Sequence, residues 1–94
     1  MGGLRLEDFS GGLGQTWEVE AGDGAVPLRL GRAQALPRAM REEGGFRLEW
    51  TGPADRALEQ ATYRFRREGG DPFEMFIVPV AQQGDAMVYE AIFS

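Results

Sequence analysis

Apolar and charged side chains alternate in short stretches along much of the chain. In residues 15–20, Trp17 and Val19 alternate with glutamates, and residues 46–51 repeat the pattern, with aromatic and aliphatic positions on either side of Arg47. Successive side chains of a β-strand point to opposite faces, so a period of two is the pattern of strands with one buried face. The pattern therefore predicts a protein built mainly from half-buried strands.

Six such strands are predicted, and each is bounded by residues that are typical of turns. They cover residues 15–20, 25–31, 46–51, 61–66, 73–79 and 87–93. Gly, Pro and Asp cluster between them, and short reversals without helical crossovers favour antiparallel pairing in an all-β fold. Such a fold is either a small barrel or a two-sheet sandwich. We favour the barrel because closure hides strand edges that otherwise pair with other chains.

Two prolines mark places where the predicted strands depart from regular pairing. Pro27 lacks a backbone donor, which predicts an edge position or a bulge for the strand over residues 25–31. Residues 73–80 first alternate and then become apolar on both faces, which favours a central or bulged strand that ends near Pro79.

Residues 33–45 lack alternation and are predicted to form the longest loop.

Residues 1–13 are predicted to form a short helical turn that plugs one end of the core. The apolar side chains that could share one side of this turn are Leu4, Leu6, Phe9 and Leu13. Glu7 and Asp8 suit the positively polarised first turn of a helix. Gly11 and Gly12 follow soon afterwards, and glycine disfavours helix continuation, so only a short helix is expected.

Length and charge limit the organisation of the chain and its partners. The 94 residues suit a single β domain over residues 1–94. The formal net charge of −5 disfavours a protein that binds the phosphate backbone of nucleic acids. No stretch approaches the roughly 18 apolar residues of a membrane-spanning helix, and the N-terminus lacks the apolar run of a secretory signal. We therefore expect a cytoplasmic protein without membrane or nucleic-acid partners.

The residue types that enzymes use most are missing from the chain. It contains no His, Cys or Lys, which excludes Ser-His and Cys-His nucleophiles, Schiff bases and the usual transition-metal sites. The carboxylates that remain as general bases are Asp71, Glu74, Asp85 and Glu90. They are predicted to lie in turns or on outer strand faces, not as the facing pair that glycoside hydrolysis uses. We therefore expect a non-enzymatic protein without catalytic residues, cofactor or metal.

Several aromatic residues raise the alternative of a stacking platform for single-stranded nucleic acid, as on small barrels of the OB type. They are Trp17, Phe46, Trp50, Tyr63 and Phe65. Their inward alternation instead predicts that they fill the core. The arginines on the opposite faces of the same strands are expected to pair with glutamates across strands.

A set of short motifs together resembles one family of bacterial proteins. The motifs are Leu6-x-x-Phe9, Gly14-Gln15-x-Trp17, Gly52-Pro53-Ala54-Asp55, Thr62-Tyr63-Arg64, Phe76-Ile77-Val78-Pro79-Val80 and Tyr89-Glu90-Ala91-Ile92-Phe93. They are similar to an uncharacterised bacterial domain-of-unknown-function family of roughly hundred-residue proteins. Its members are often encoded near phage-tail-collar or microcystin-dependent-type proteins. The resemblance implies an accessory of a phage-tail-like assembly and assigns no catalytic residue.

The expected function is that of a structural or adaptor domain that acts through protein-protein contacts. A rigid β scaffold commonly carries its binding residues on loops, so we predict a contact surface made of residues 34–45 and 52–60. Within it, Arg38, Met40 and Arg41 are the candidate partner-binding residues. The resemblance implies a tail-collar-like protein as the partner. The alternative is a small-ligand-binding β-barrel that holds the ligand in its interior.

Overall fold

A computed structural model describes residues 4–22, 24–36 and 45–93. Within these residues the elements are α1 (Glu7–Ser10), β1 (Thr16–Ala21), β2 (Gly24–Leu36), β3 (Gly45–Pro53), a 3-10 turn (Ala54–Arg56), β4 (Ala61–Arg66), β5 (Phe73–Gln83) and β6 (Ala86–Phe93). The strands form a closed antiparallel barrel in the order β1-β2-β3-β6-β5-β4. The predicted all-β fold with a short N-terminal helical turn is confirmed, and closure selects the barrel over the sandwich.

Two long strands, β2 and β5, form the corners of the barrel. β2 pairs with β1 over its first half and with β3 over its second half, and its register shifts between Leu30 and Arg32. β5 pairs in the same way with β4 and then with β6, and its register shifts between Pro79 and Ala81. Because an extra residue in a strand bends and twists it, these two shifts are where the sheet curls on itself.

Both corner strands run further than the alternation indicated. β2 continues to Leu36, so the prediction of a loop from residue 33 was wrong for residues 33–36. β5 continues to Gln83 because the register shift lets its ladder with β6 resume beyond Pro79. In a closed barrel no strand is more central than another, so the prediction of a central strand was wrong, whereas the predicted bulge is confirmed by the register shift between Pro79 and Ala81.

Pro27 occupies a part of β2 that has a partner strand on one side. It faces Glu18 of β1, whereas the β2-β3 ladder begins with Arg29 and Thr51. The predicted edge position is therefore local to this part of the strand. The bulge predicted as its alternative lies further along β2, next to Leu30.

The inward faces of the strands form one hydrophobic core. Its buried strand residues are Trp17, Val19, Val26, Leu28, Leu30, Phe46, Leu48, Trp50, Phe65, Met75, Ile77, Tyr89 and Ala91. No charged side chain is buried within the described part of the chain. The predicted aromatic core is confirmed, with Tyr63 half-buried against it.

α1 lies against the aromatic part of this core. Phe9 is buried, and its ring centroid lies 6.3 Å from that of Trp17 and 5.6 Å from that of Phe73. The leucines at positions 4 and 6 also pack against the core. Leu13, however, is 52% exposed, so the prediction that it shares the apolar side of the turn was wrong.

A hydrogen bond to Tyr89 connects the segment after the 3-10 turn to the barrel. Its buried hydroxyl accepts a hydrogen bond of 2.8 Å from the backbone N–H of Leu58. The Leu58 side chain is buried in the core. Gly52 allows close packing nearby, because a Cβ there would overlap the side chain of Leu28 and lie 3.2 Å from the carbonyl oxygen of Pro27.

Candidate functional site

The described parts of the predicted contact surface lie at opposite ends of β3. Arg38, Met40 and Arg41 lie outside the described residues, so their positions stay a prediction. The two strand ends that flank them, at residues 36 and 45, pair with each other at one end of β3. Residues 52–60 begin at the other end of this strand, so the described parts of the predicted surface are not adjacent.

The four carboxylates considered as general bases do not come together. Asp71 and Asp85 lie in the turns at opposite ends of β5, and Glu74 and Glu90 lie on outer strand faces. Glu90 accepts a hydrogen bond from Arg47. Among the residues that the structure describes, no group of three or more acidic side chains is arranged to hold a metal ion.

An apolar strip runs along the outer face of β5 and β6. We define it as Phe76, Val78, Val80 and Ile92. The exposed fractions are 51% for Phe76, 48% for Val80 and 56% for Ile92, and Val78 is half-buried. Val78 pairs with Glu90, and Phe76 and Ile92 are the next outward positions on their respective strands. Phe76, Val78 and Ile92 therefore lie on one face of two neighbouring strands, and Val80 follows in β5 at the register shift between Pro79 and Ala81.

A fixed group of charges borders this strip. Glu49 and Glu90 face each other across the β3-β6 ladder, and Arg47 donates hydrogen bonds to both, with 2.8 Å between its Nη1 and Glu49 Oε2. The hydrogen bond to Glu90 is the main cause that raises the pKa of Arg47 above its ordinary value. Arg47 also pairs in register with Ile92 of the strip. On the other side of Glu49, Arg32 of β2 pairs with it in register, so the border carries charges of both signs.

A cleft of about 620 Å³ lies between the N-terminal segment and the turn that joins β4 to β5. Its walls include the apolar side chains of Leu4, Trp17 and Phe73 and the charged side chains of Asp8, Arg67 and Asp71. The guanidinium carbon of Arg67 lies 4.3 Å from the centroid of the Trp17 ring. Its Nη1 also donates a hydrogen bond of 2.6 Å to Gln15 Oε1. Arg67 is thus held in a defined position at the edge of the cleft.

Sequence reasoning missed both surfaces. The signal for the apolar strip is the stretch of residues 73–80 that is apolar on both faces, a pattern that covered and bulged strands share with exposed contact surfaces. The cleft had no comparable signal. It depends on Gln15 and Arg67, which are 52 positions apart and meet only because β1 pairs with β4.

A family model shows to which proteins the chain is related. The model of DUF6916, a domain of unknown function, matches residues 4–93. The chain belongs to the DUF6916 family. The match spans α1 and all the strands that the structure describes in this DUF6916 domain, which confirms the resemblance to an uncharacterised domain family.

Two further searches, one of curated proteins and one of solved structures, found no match to this DUF6916 domain. Within its described residues, no helix has the length and apolar character needed to cross a membrane.

Proposed function

We propose that this DUF6916 domain is a non-enzymatic adaptor that binds another protein through the apolar strip. The observation that supports the proposal is the exposure of Phe76, Val80 and Ile92 on the outside of a barrel whose inward side chains are buried. Contiguous apolar side chains with a charged border are typical of protein contact sites. Because the strip lies on two strands of a closed barrel, its side chains are held in place without a loop.

The partner that fits this surface is a protein whose apolar contact residues are bordered by Arg or Lys. Glu49 and Glu90 lie beside the strip, and the whole chain carries a net charge of −5. Opposite charges across an interface favour the correct partner and speed association. Two copies of this chain would carry net charges of the same sign. A tail-collar-like protein, which the sequence resemblance implies, is the first candidate to test.

A ligand held inside the barrel is the alternative function, and it has less support. The interior is occupied by large side chains, among them Trp50, Tyr89, Phe46 and Phe65, which are fully buried. Small barrels commonly fill their interiors with side chains in this way. A carrier function would require these rings to move apart.

Substitutions on the strip test the proposal. Phe76→Ser combined with Ile92→Ser removes two exposed apolar side chains without changing the core. The matched control is Leu13→Ser, which removes an apolar side chain of similar exposure, 52%, outside the strip. Binding of a recombinant tail-collar-like protein to each purified variant is measured by calorimetry, and proteins captured by each immobilised variant are compared by mass spectrometry.

We expect the double variant to bind its partner at least tenfold more weakly, which corresponds to about 1.4 kcal/mol or more. Leu13→Ser should bind as the unmodified domain does. The melting temperatures should change little, because substitutions on exposed surfaces usually alter stability by less than about 0.5 kcal/mol each. Unchanged binding by the double variant, or an equal loss in Leu13→Ser, would contradict the proposal.

A further inference from the structure

The cleft beside Arg67 offers preformed contacts away from the apolar strip. Its volume of about 620 Å³ is in the range of small-molecule sites. Two of its walls belong to the core, because Trp17 is buried and the ring of Phe73 stacks on that of Phe65 with 5.5 Å between centroids. These walls are therefore in place before any ligand arrives.

Charged groups of both signs line the cleft and have hydrogen-bonding capacity left. Gln15 takes one N–H group of Arg67, and a guanidinium has five such donors. One carboxylate oxygen of Asp8 accepts a 2.8 Å hydrogen bond from the backbone N–H of Arg5, which leaves the other oxygen open. Asp71 is exposed in its turn, and no ion pair links it to another of the described residues.

We propose that this cleft binds a small zwitterionic ligand, either a free amino acid or a short peptide, that carries an apolar side chain. The carboxylate of the ligand binds Arg67, whose planar guanidinium matches carboxylate geometry. The ammonium group of the ligand binds Asp71 and Asp8, and the apolar side chain packs against Leu4 and Phe73. A ligand with only one charge would meet a group of like charge in the same cleft.

Two tryptophans allow binding to be followed inside the intact protein. Trp17 lines the cleft, whereas Trp50 is fully buried behind it, with 5.2 Å between the ring centroids. The indole N–H signals of both are recorded by NMR during titration with leucine, leucyl-leucine or N-acetyl-leucinamide. The last compound has the same apolar side chain and no charge. A zwitterion should shift the Trp17 signal more than that of Trp50, and the tighter of the first two compounds shows whether the site prefers an amino acid or a peptide.

Matched variants test which groups hold the ligand. Arg67→Gln and Asp71→Asn should each weaken binding of the zwitterion at least about tenfold, because each removes a charge-assisted hydrogen bond. Arg56→Gln and Asp85→Asn make the same chemical changes at the other end of the barrel and should leave the affinity unchanged. Asp71→Asn lies at an exposed turn position, so it tests the site even where Arg67→Gln disturbs the packing on Trp17.

Three results would overturn the proposal. One is equally tight binding of N-acetyl-leucinamide and leucyl-leucine, which would show that the charges are not recognised. Another is the same affinity in Asp71→Asn and Asp85→Asn. The third is the absence of any Trp17 shift with the zwitterions at millimolar concentration.

Discussion

Removal of the hydroxyl group of Tyr89 should destabilise the barrel. Tyr89 is fully buried, and its oxygen accepts the N–H of Leu58 at 2.8 Å. In Tyr89→Phe this N–H has no acceptor in a region that water does not reach, and an unsatisfied buried donor costs about 1–3 kcal/mol. In a domain of this size each kcal/mol lowers the melting temperature by about 4–8 °C. The free energy of unfolding is measured by urea denaturation followed by tryptophan fluorescence.

Tyr63→Phe is the matched control for this experiment. The hydroxyl of Tyr63 donates a 2.7 Å hydrogen bond to the carbonyl oxygen of Glu59 at an exposed position. Water can replace this bond, so we expect a change of less than about 0.5 kcal/mol. Both tyrosines hold the same short segment, which makes burial the main difference between them. An equal loss in the two variants, or no loss in Tyr89→Phe, would refute the reasoning.

Three other perturbations follow from packing and charge. Gly52→Ala should lower the free energy of unfolding by about 1–3 kcal/mol because the added methyl group overpacks the core. Gly11→Ala places its methyl group in open space and should lower the free energy of unfolding much less. Calorimetry compares the two variants. Arg47→Gln leaves two glutamates opposed, so unfolding at pH 7 should become easier by about 0.2–1 kcal/mol. Burial raises the pKa of Tyr63 above its ordinary value. The stabilisation linked to this shift is therefore present below about pH 10 and is lost as pH rises through the raised pKa. Absorbance titration with a Tyr63→Phe control checks the raised pKa.

The barrel was predictable because, in most strands, apolar residues lie on one face and polar residues on the other. In β3, Phe46, Leu48 and Trp50 all point inward and are buried, whereas the residues between them are only half-buried. The contrast fades where β2 runs past residue 32, because no residue there is fully buried. Alternation could not place the end of that strand, and only the register with β3 does so.

The candidate surfaces were less predictable because they depend on what covers a residue and on which strands pair. An apolar outward residue such as Phe76 has the same local pattern whether another segment covers it or solvent does. The contact of Arg67 with Trp17 requires the β1-β4 pairing that closes the barrel. The three candidate partner-binding residues of the sequence prediction, Arg38, Met40 and Arg41, lie outside the described residues and stay a prediction.

The two isoleucines of the chain distinguish the outside of the barrel from its inside. Ile92 is exposed on the apolar strip, and Ile77 is fully buried in the core. In a domain with labelled isoleucine methyl groups, addition of a binding partner should shift or broaden the Ile92 signal and leave the Ile77 signal unchanged. A partner or ligand that shifts Ile77 and leaves Ile92 unchanged would contradict the claim that this protein acts through the outer surface of a filled barrel.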